Sequence, residues 1–172
     1  MTVTLVEKYN PEWPAWFEKI KEFLGEKIVC ACLRVEHVGS TSIPGMIAKP
    51  IIDLILVIKP GEFEGMIALL AKRGYVHEGN KGIEDRDAFK LVDDELRNSL
   101  PRHHLYVCPE HSLELKKETA FRDFLKRNKE YAEKLSALKW SLAEQFDNDV
   151  YAYMDGKDAL VKEITEKALR DK

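Results

Sequence analysis

At 172 residues the chain is long enough to bury one substantial core and short for more than one ordinary domain. Its hydrophobic fraction of 45% and charged fraction of 33% are those of a globular protein. A net charge of -3 excludes the broad electrostatic footprint of a general nucleic-acid binder, so nucleic acid is not expected as a partner.

Three cysteines, Cys30, Cys32 and Cys108, form neither a metal-ligand spacing nor an even-numbered disulfide framework, which favours a reducing cytoplasm. The opening residues MTVTLVEKYNPEWP lack the basic region and apolar run of a signal peptide. No stretch reaches the ~20 apolar residues of a membrane span, so no membrane partner is expected.

In chain order, residues 2–6 read as a short extended piece. Asn10-Pro11 reads as an N-cap followed by Pro at the first helical position. Trp13, Trp16, Phe17, Ile20, Phe23 and Leu24 then recur at three- and four-residue spacing, one apolar stripe on a helix ending near Gly25. This aromatic stripe reads as core packing. Residues 28–38 predict the first strand, with Cys30 and Cys32 as small strand residues. Residues 39–48 form a loop with a short helical turn, and a second strand follows over 51–58 after Pro50. A helix is expected over 62–72, stopped at Gly74. Strands are expected over 75–77, 86–92 and 102–108, with a turn at 78–82 and a polar connection at 93–101. From Ser112 onward the periodicity is helical. Ser112 caps a helix to about Arg127, and Asn128 caps a second carrying Tyr131, Leu135, Leu138, Leu142 and Phe146. Asp155-Gly156 separates these from a last helix with Leu160, Val161, Ile164 and Leu169. The basic residues from Lys116 to Lys129 interleave with Glu118 and Asp123, which describes a solvated face. The fold class is α/β (α+β). A mixed-sheet core with packed helices over 1–110 and a helical C-terminal segment over 111–172 form one domain spanning 1–172.

The stretch RVEHVGSTSIPGMIAKPIIDLILVI, residues 34–58, holds the chemistry. A charge at Asp53, inside what reads as a buried strand, carries a desolvation cost and requires a partner. The candidate partner is a divalent metal bound with a phosphate-bearing ligand. The loop Gly39-Ser40-Thr41-Ser42 suits phosphate. Unsatisfied N–H groups and a helix dipole would face the anion, and glycine admits close approach. This is neither a P-loop nor a dinucleotide fingerprint. Counter-charge is expected from Lys49, Arg86 and Lys90, with Arg102 and Lys157 as further candidates. On a regular 102–108 strand, His104, Tyr106 and Cys108 share one face, and His103, Leu105 and Val107 the other. His104 would reach Asp53 if the two strands are neighbours. His37 and His103 are further candidates, each set against the plainer reading of a polar residue satisfied by a backbone carbonyl. Ser40 or Ser42 with His37 and Asp53 supplies the residue types of a catalytic triad, without a nucleophile elbow. Glu36 reads as a salt-bridge partner of Arg34.

The segment HVGSTSIPGMIAKPIIDL closely resembles the signature of the GrpB family, within the nucleotidyltransferase superfamily. The paired His103-His104, the segment FRDFLKRN at 121–128, Leu138-Lys139, and Tyr153 with Gly156-Lys157 resemble that family in the same order. The resemblance implies a nucleotidyltransferase-like α/β fold whose Gly-Ser turn lies near a nucleotide triphosphate. The superfamily pattern is that turn, then a strand with two carboxylates one residue apart, then a third carboxylate on a later strand. The acids share divalent metals, Mg²⁺ or Mn²⁺, that bridge the phosphates. Gly39 and Ser40 match the turn, and Asp53 the first acid. Ile55 stands where the second acid is expected, and His104 where the third is; histidine is a poor Mg²⁺ ligand. The resemblance thus implies Asp53 and His104 as catalytic and metal-binding residues. It implies Gly39 and Ser40 as nucleotide-binding, a role that the reading of the residues extends to Thr41, Ser42, Lys49, Arg86 and Lys90. Two functions follow from it. One is metal-dependent nucleotidyl transfer with an incomplete carboxylate set. The other is a non-catalytic nucleotide- or CoA-precursor-binding or interaction module acting beside a kinase such as dephospho-CoA kinase, to which some relatives are fused.

Overall fold

A five-stranded mixed sheet carries His37, Asp53, Lys90, His103 and His104. It lies in the first of two units in the computed structural model, which describes residues 4–171. That unit comprises residues 12–38 and 51–116. Its elements are α1 (Trp13–Leu24), α2 (Glu26–Ala31), β1 (Arg34–Val38), β2 (Ile52–Ile58), α3 (Phe63–Ala71), β3 (Tyr75–His77), β4 (Asp87–Leu91), α4 (Asp94–Ser99) and β5 (His103–Pro109). The strand order is β1-β2-β5-β4-β3, with β2 and β5 parallel and the other pairs antiparallel. In central β2 every residue except Asp53 is buried, as a continuous Ile/Leu/Val run predicts for a strand covered on both faces. One face packs Val38, Ile55, Val57 and Cys108 with Leu115. The stripe of α1 buries Trp13, Phe17, Ile20 and Leu24. Each such side chain contributes about 1.5–3 kcal/mol when fully buried.

The sequence expectations need three corrections in this unit. First, α1 begins at Trp13 with Glu12 at its N-cap, so it is Pro14, not Pro11, that occupies the first turn. Its missing N–H costs nothing there. Second, residues 28–31 are helical. Gly25, at φ 87, ends α1 and redirects the chain into α2, and the Cys32 thiol sits 3.2 Å from the Ile28 carbonyl one turn back. Burial pushes that thiol up to about 11. Third, the polar connection contains α4, whose Asp93 cap accepts from Leu96 N–H at 2.9 Å.

The described residues of the second unit are 4–11, 39–50 and 117–171. Helix α5 (Leu113–Arg127) enters this unit from Lys117 onward, and α6 (Lys129–Gln145) and α7 (Val150–Arg170) follow. Of the extended piece expected over 2–6, Thr2 and Val3 lie outside the described residues; Glu7 pairs with Ala48 in an antiparallel bridge. Ile43 and Met46 pack with Phe124, Leu125, Leu135 and Ile164. Ser112 caps α5 through Leu115 N–H, 3.2 Å. Asn128 does not cap α6 with its side chain, which instead donates to the Phe124 carbonyl at 2.8 Å. Nor does Asp155-Gly156 break the chain. α7 runs through it, capped by Asp149, which accepts from Ala152 N–H at 3.0 Å. A Cβ at position 156 would stand 2.5 Å from Leu142 Cδ2 on α6, so any side chain there requires Leu142 to shift. Among the described residues no helix is long and apolar enough to cross a membrane.

Candidate functional site

Parallel pairing of β2 with β5 sets Asp53 directly beside His104. The two side chains share a face, and His104 Nδ1 lies 2.9 Å from Asp53 Oδ1. A carboxylate oxygen accepts, so Nδ1 carries the proton and Nε2 is the ring nitrogen left for another partner. Asp53 is the second residue of β2, and its side chain is 29% exposed while that of His104 is 55% exposed. The deep burial expected for Asp53 is therefore not what the fold provides. It stands where the apolar run begins, and its partner is an imidazole.

The same face tests the metal expectation. Ile55, two residues on, is 1% exposed within the hydrocarbon cluster of β1, β2 and β5. Among the described residues no three His, Cys, Asp or Glu side chains converge as a metal group. One carboxylate and one imidazole, bonded to each other, do not fit a two-carboxylate divalent-metal centre.

The remaining histidines go elsewhere. In β1, Val38 is the partner of Asp53, so His37 projects from the opposite face, where it stacks on Phe17 at 4.8 Å between centroids. A triad of Ser40 or Ser42, His37 and Asp53 is thereby excluded. His103 also faces away from Asp53. Its Nδ1 donates to the Pro101 carbonyl at 2.8 Å, and Nε2 lies 2.6 Å from the Tyr75 hydroxyl. Burial, reinforced by neighbouring His104, holds its pKa below the usual imidazole value. A neutral ring with a proton on Nδ1 accepts from Tyr75 O–H. Burial in turn raises the Tyr75 phenol. Arg86 and Lys90 line a cavity of about 390 Å³ beside β4 and β5, with Arg102 and His104 in the same wall. Glu36 does pair with Arg34, at 2.7 Å.

In the second unit, Gly39 adopts φ 74 and ψ -179, a left-handed conformation that glycine takes without strain. The residues that follow, Ser40–Ser42, form a single 3-10 turn, too short for the dipole of a regular helix. Nor does the turn present three hydroxyls. Thr41 is buried, and Ser42 Oγ donates back to the Gly39 carbonyl at 2.5 Å. Positive charge comes instead from Lys139 on α6, which is 3% exposed and donates Nζ to Ser40 Oγ and, at 3.2 Å, to the Ile47 carbonyl. Lys139 is the principal residue that motif reasoning did not assign to the site. Its signal was present, since it falls in the buried α6 stripe with Leu135 and Leu142, where a charge is out of pattern. Lys49 and Lys157 lie 5.4 and 5.8 Å from the Tyr153 ring centroid, within cation–π range. Burial pushes the Tyr153 phenol up to about 12.

The mixed α/β unit and a second unit that carries the Gly-Ser turn and the C-terminal helices define the class. The family model described as GrpB protein matches residues 2–167, and the chain belongs to the GrpB family. A UPF0157 protein of Halalkalibacterium halodurans is 34% identical over 97% of this chain and 83% of its own length. UPF0157 protein YqkA of Bacillus subtilis is 31% identical over 94% of this chain. The chain spans about half of that relative, 46% of its length. The crystal structure of conserved protein GrpB from Enterococcus faecalis matches with a TM-score of 0.80 at 32% identity, covering 96% of this chain and 97% of that one.

Proposed function

We propose that this protein binds a nucleotide or related phosphate-bearing small molecule at the Gly39-Ser40 turn, with Lys139 as counter-charge. The observation that carries this reading is the bond from the buried Lys139 ammonium to the Ser40 hydroxyl. An ammonium, a hydroxyl and a glycine that admits close backbone approach are the donors that phosphate oxygens take. The GrpB resemblance supports the same turn. Divalent metal enters no step of this reading.

The test is calorimetric titration and thermal unfolding with each of the four nucleoside triphosphates, with and without Mg²⁺ or Mn²⁺. Binding stabilises the folded state by about 2.7 kcal/mol at a hundredfold excess over Kd. Lys139→Met removes the shift and Ser40→Ala weakens it. The absence of a shift with every triphosphate, in both metal conditions, overturns the reading.

A second reading, catalysis, is favoured by the Asp53–His104 bond. With Nδ1–H donated to Asp53, Nε2 is available to take a proton from a hydroxyl, the step that group transfer to an alcohol requires. Turnover of labelled triphosphate across acceptor pools, lost in Asp53→Asn, is its expected result. Equal turnover in wild type and Asp53→Asn contradicts it.

A further inference from the structure

The sheet of the first unit opens on one side. Strand β4 pairs with β5 only through Asp87–Val107, Ala88–Tyr106 and Phe89–Leu105. Beyond Phe89 the ladder stops, and Lys90 and Leu91 no longer pair with His104 and His103. The cavity of about 390 Å³ lies along these residues. That is within the range of small-molecule sites.

Its charge is one-sided. Lys81, Arg86, Lys90, Arg97 and Arg102 line it, against the single carboxylate of Glu78. Glu78 pairs with Lys81 at 3.1 Å, and Arg97 pairs with Asp94 at 2.5 Å. Among the described residues no carboxylate forms an ion pair with Arg86, Lys90 or Arg102. Arg86 is the most constrained of the three. Its guanidinium carbon lies 4.3 Å from the Tyr106 ring centroid, and its buried Nε has no hydrogen-bond partner. Stacking fixes the plane of the fork. A donor held in that way, without an acceptor, is what an incoming oxygen satisfies.

We infer that this cavity is a binding site for a small phosphomonoester of about sugar-phosphate size, its phosphoryl group held by Arg86, Lys90 and Arg102. A phosphoryl group offers three acceptor oxygens and a charge near -2, whereas a carboxylate offers two and a charge of -1. Three unpaired cations match the former. The part-buried His103–Tyr75 pair lines the same cavity, and so does His104. The inference concerns the first unit alone and does not rest on the Gly39-Ser40 reading.

The experiment is calorimetric titration of ribose 5-phosphate, ribose and succinate into the whole chain at about 0.15 M salt, where surface charge is screened within about 8 Å. Ribose 5-phosphate binds saturably with Kd below about 1 mM, ribose does not bind, and succinate binds more weakly. Arg86→Met and Arg102→Met each weaken the affinity by about tenfold or more. Arg102 is exposed, so its removal keeps the test valid even if the Arg86 variant unfolds. No saturable binding, tighter binding of succinate, or unchanged affinity in Arg102→Met overturns the inference.

Discussion

His103 and His104 are neighbours in sequence and differ in almost every physical respect. Alternation along β5 sends His104 to the Asp53 face and His103 into the packing around Tyr75. That parity was legible before any coordinates, and so was the reach from His104 to Asp53. What the residues could not disclose was exposure, because Asp53 sits where its strand begins to be covered. His103 makes a stability prediction. The unfolded chain takes up an imidazole proton near pH 6.5, whereas burial lowers the folded pKa. Its contribution is therefore complete above about pH 6.5 and is lost as pH falls through the folded pKa. Urea unfolding followed from pH 7.5 to 5 should show the midpoint falling less steeply in His103→Gln than in wild type. Ile55 makes a second. Ile55→Asp supplies the second acid of the expected carboxylate pair, which this chain lacks, but it does so inside a hydrocarbon cluster. A buried, unpaired carboxylate there should cost about 3 kcal/mol or more by denaturant titration.

Among the elements, the strands and long helices follow from periodicity almost unaided, since Ile/Leu/Val runs and three-to-four spacing record what each face buries. The misread elements are those governed by contacts between elements. Residues 28–31 are β-branched enough to suggest a strand, yet the turn at Gly25 commits them to α2. Gly156 resembles punctuation in isolation. In the fold it is the point where α7 approaches Leu142 of α6, and no local signal encodes that approach. Gly156→Ala should therefore destabilise the protein by about 1–3 kcal/mol through overpacking, although alanine is the better helix former. Combined with Leu142→Ala, the loss should be less than additive, as a double-mutant cycle by thermal unfolding would show. Lys139 belongs at this scale as well, because its oddity is visible only against the stripe that surrounds it.

Across the whole molecule, the grouping of residues 39–50 with the C-terminal helices depends on Ile43 and Met46 meeting Phe124, Leu135 and Ile164. Contacts between residues so far apart leave no periodic trace, so the family signature located the Gly-Ser turn without pairing it with Lys139. The fold class and the family were legible because they rest on local pattern and on a specific motif. The chemistry was less so, since it turns on which side chains the packing brings to Ser40 and Asp53. The central claim is phosphate recognition at the Gly39-Ser40 turn by the Lys139 ammonium. Its most direct measurement is calorimetric titration of nucleoside triphosphates into wild type, Ser40→Ala and Lys139→Met. Saturable binding by wild type, weakened in the first variant and abolished in the second while both remain folded, is the predicted result. Equal binding by all three proteins, or none by wild type, would contradict it.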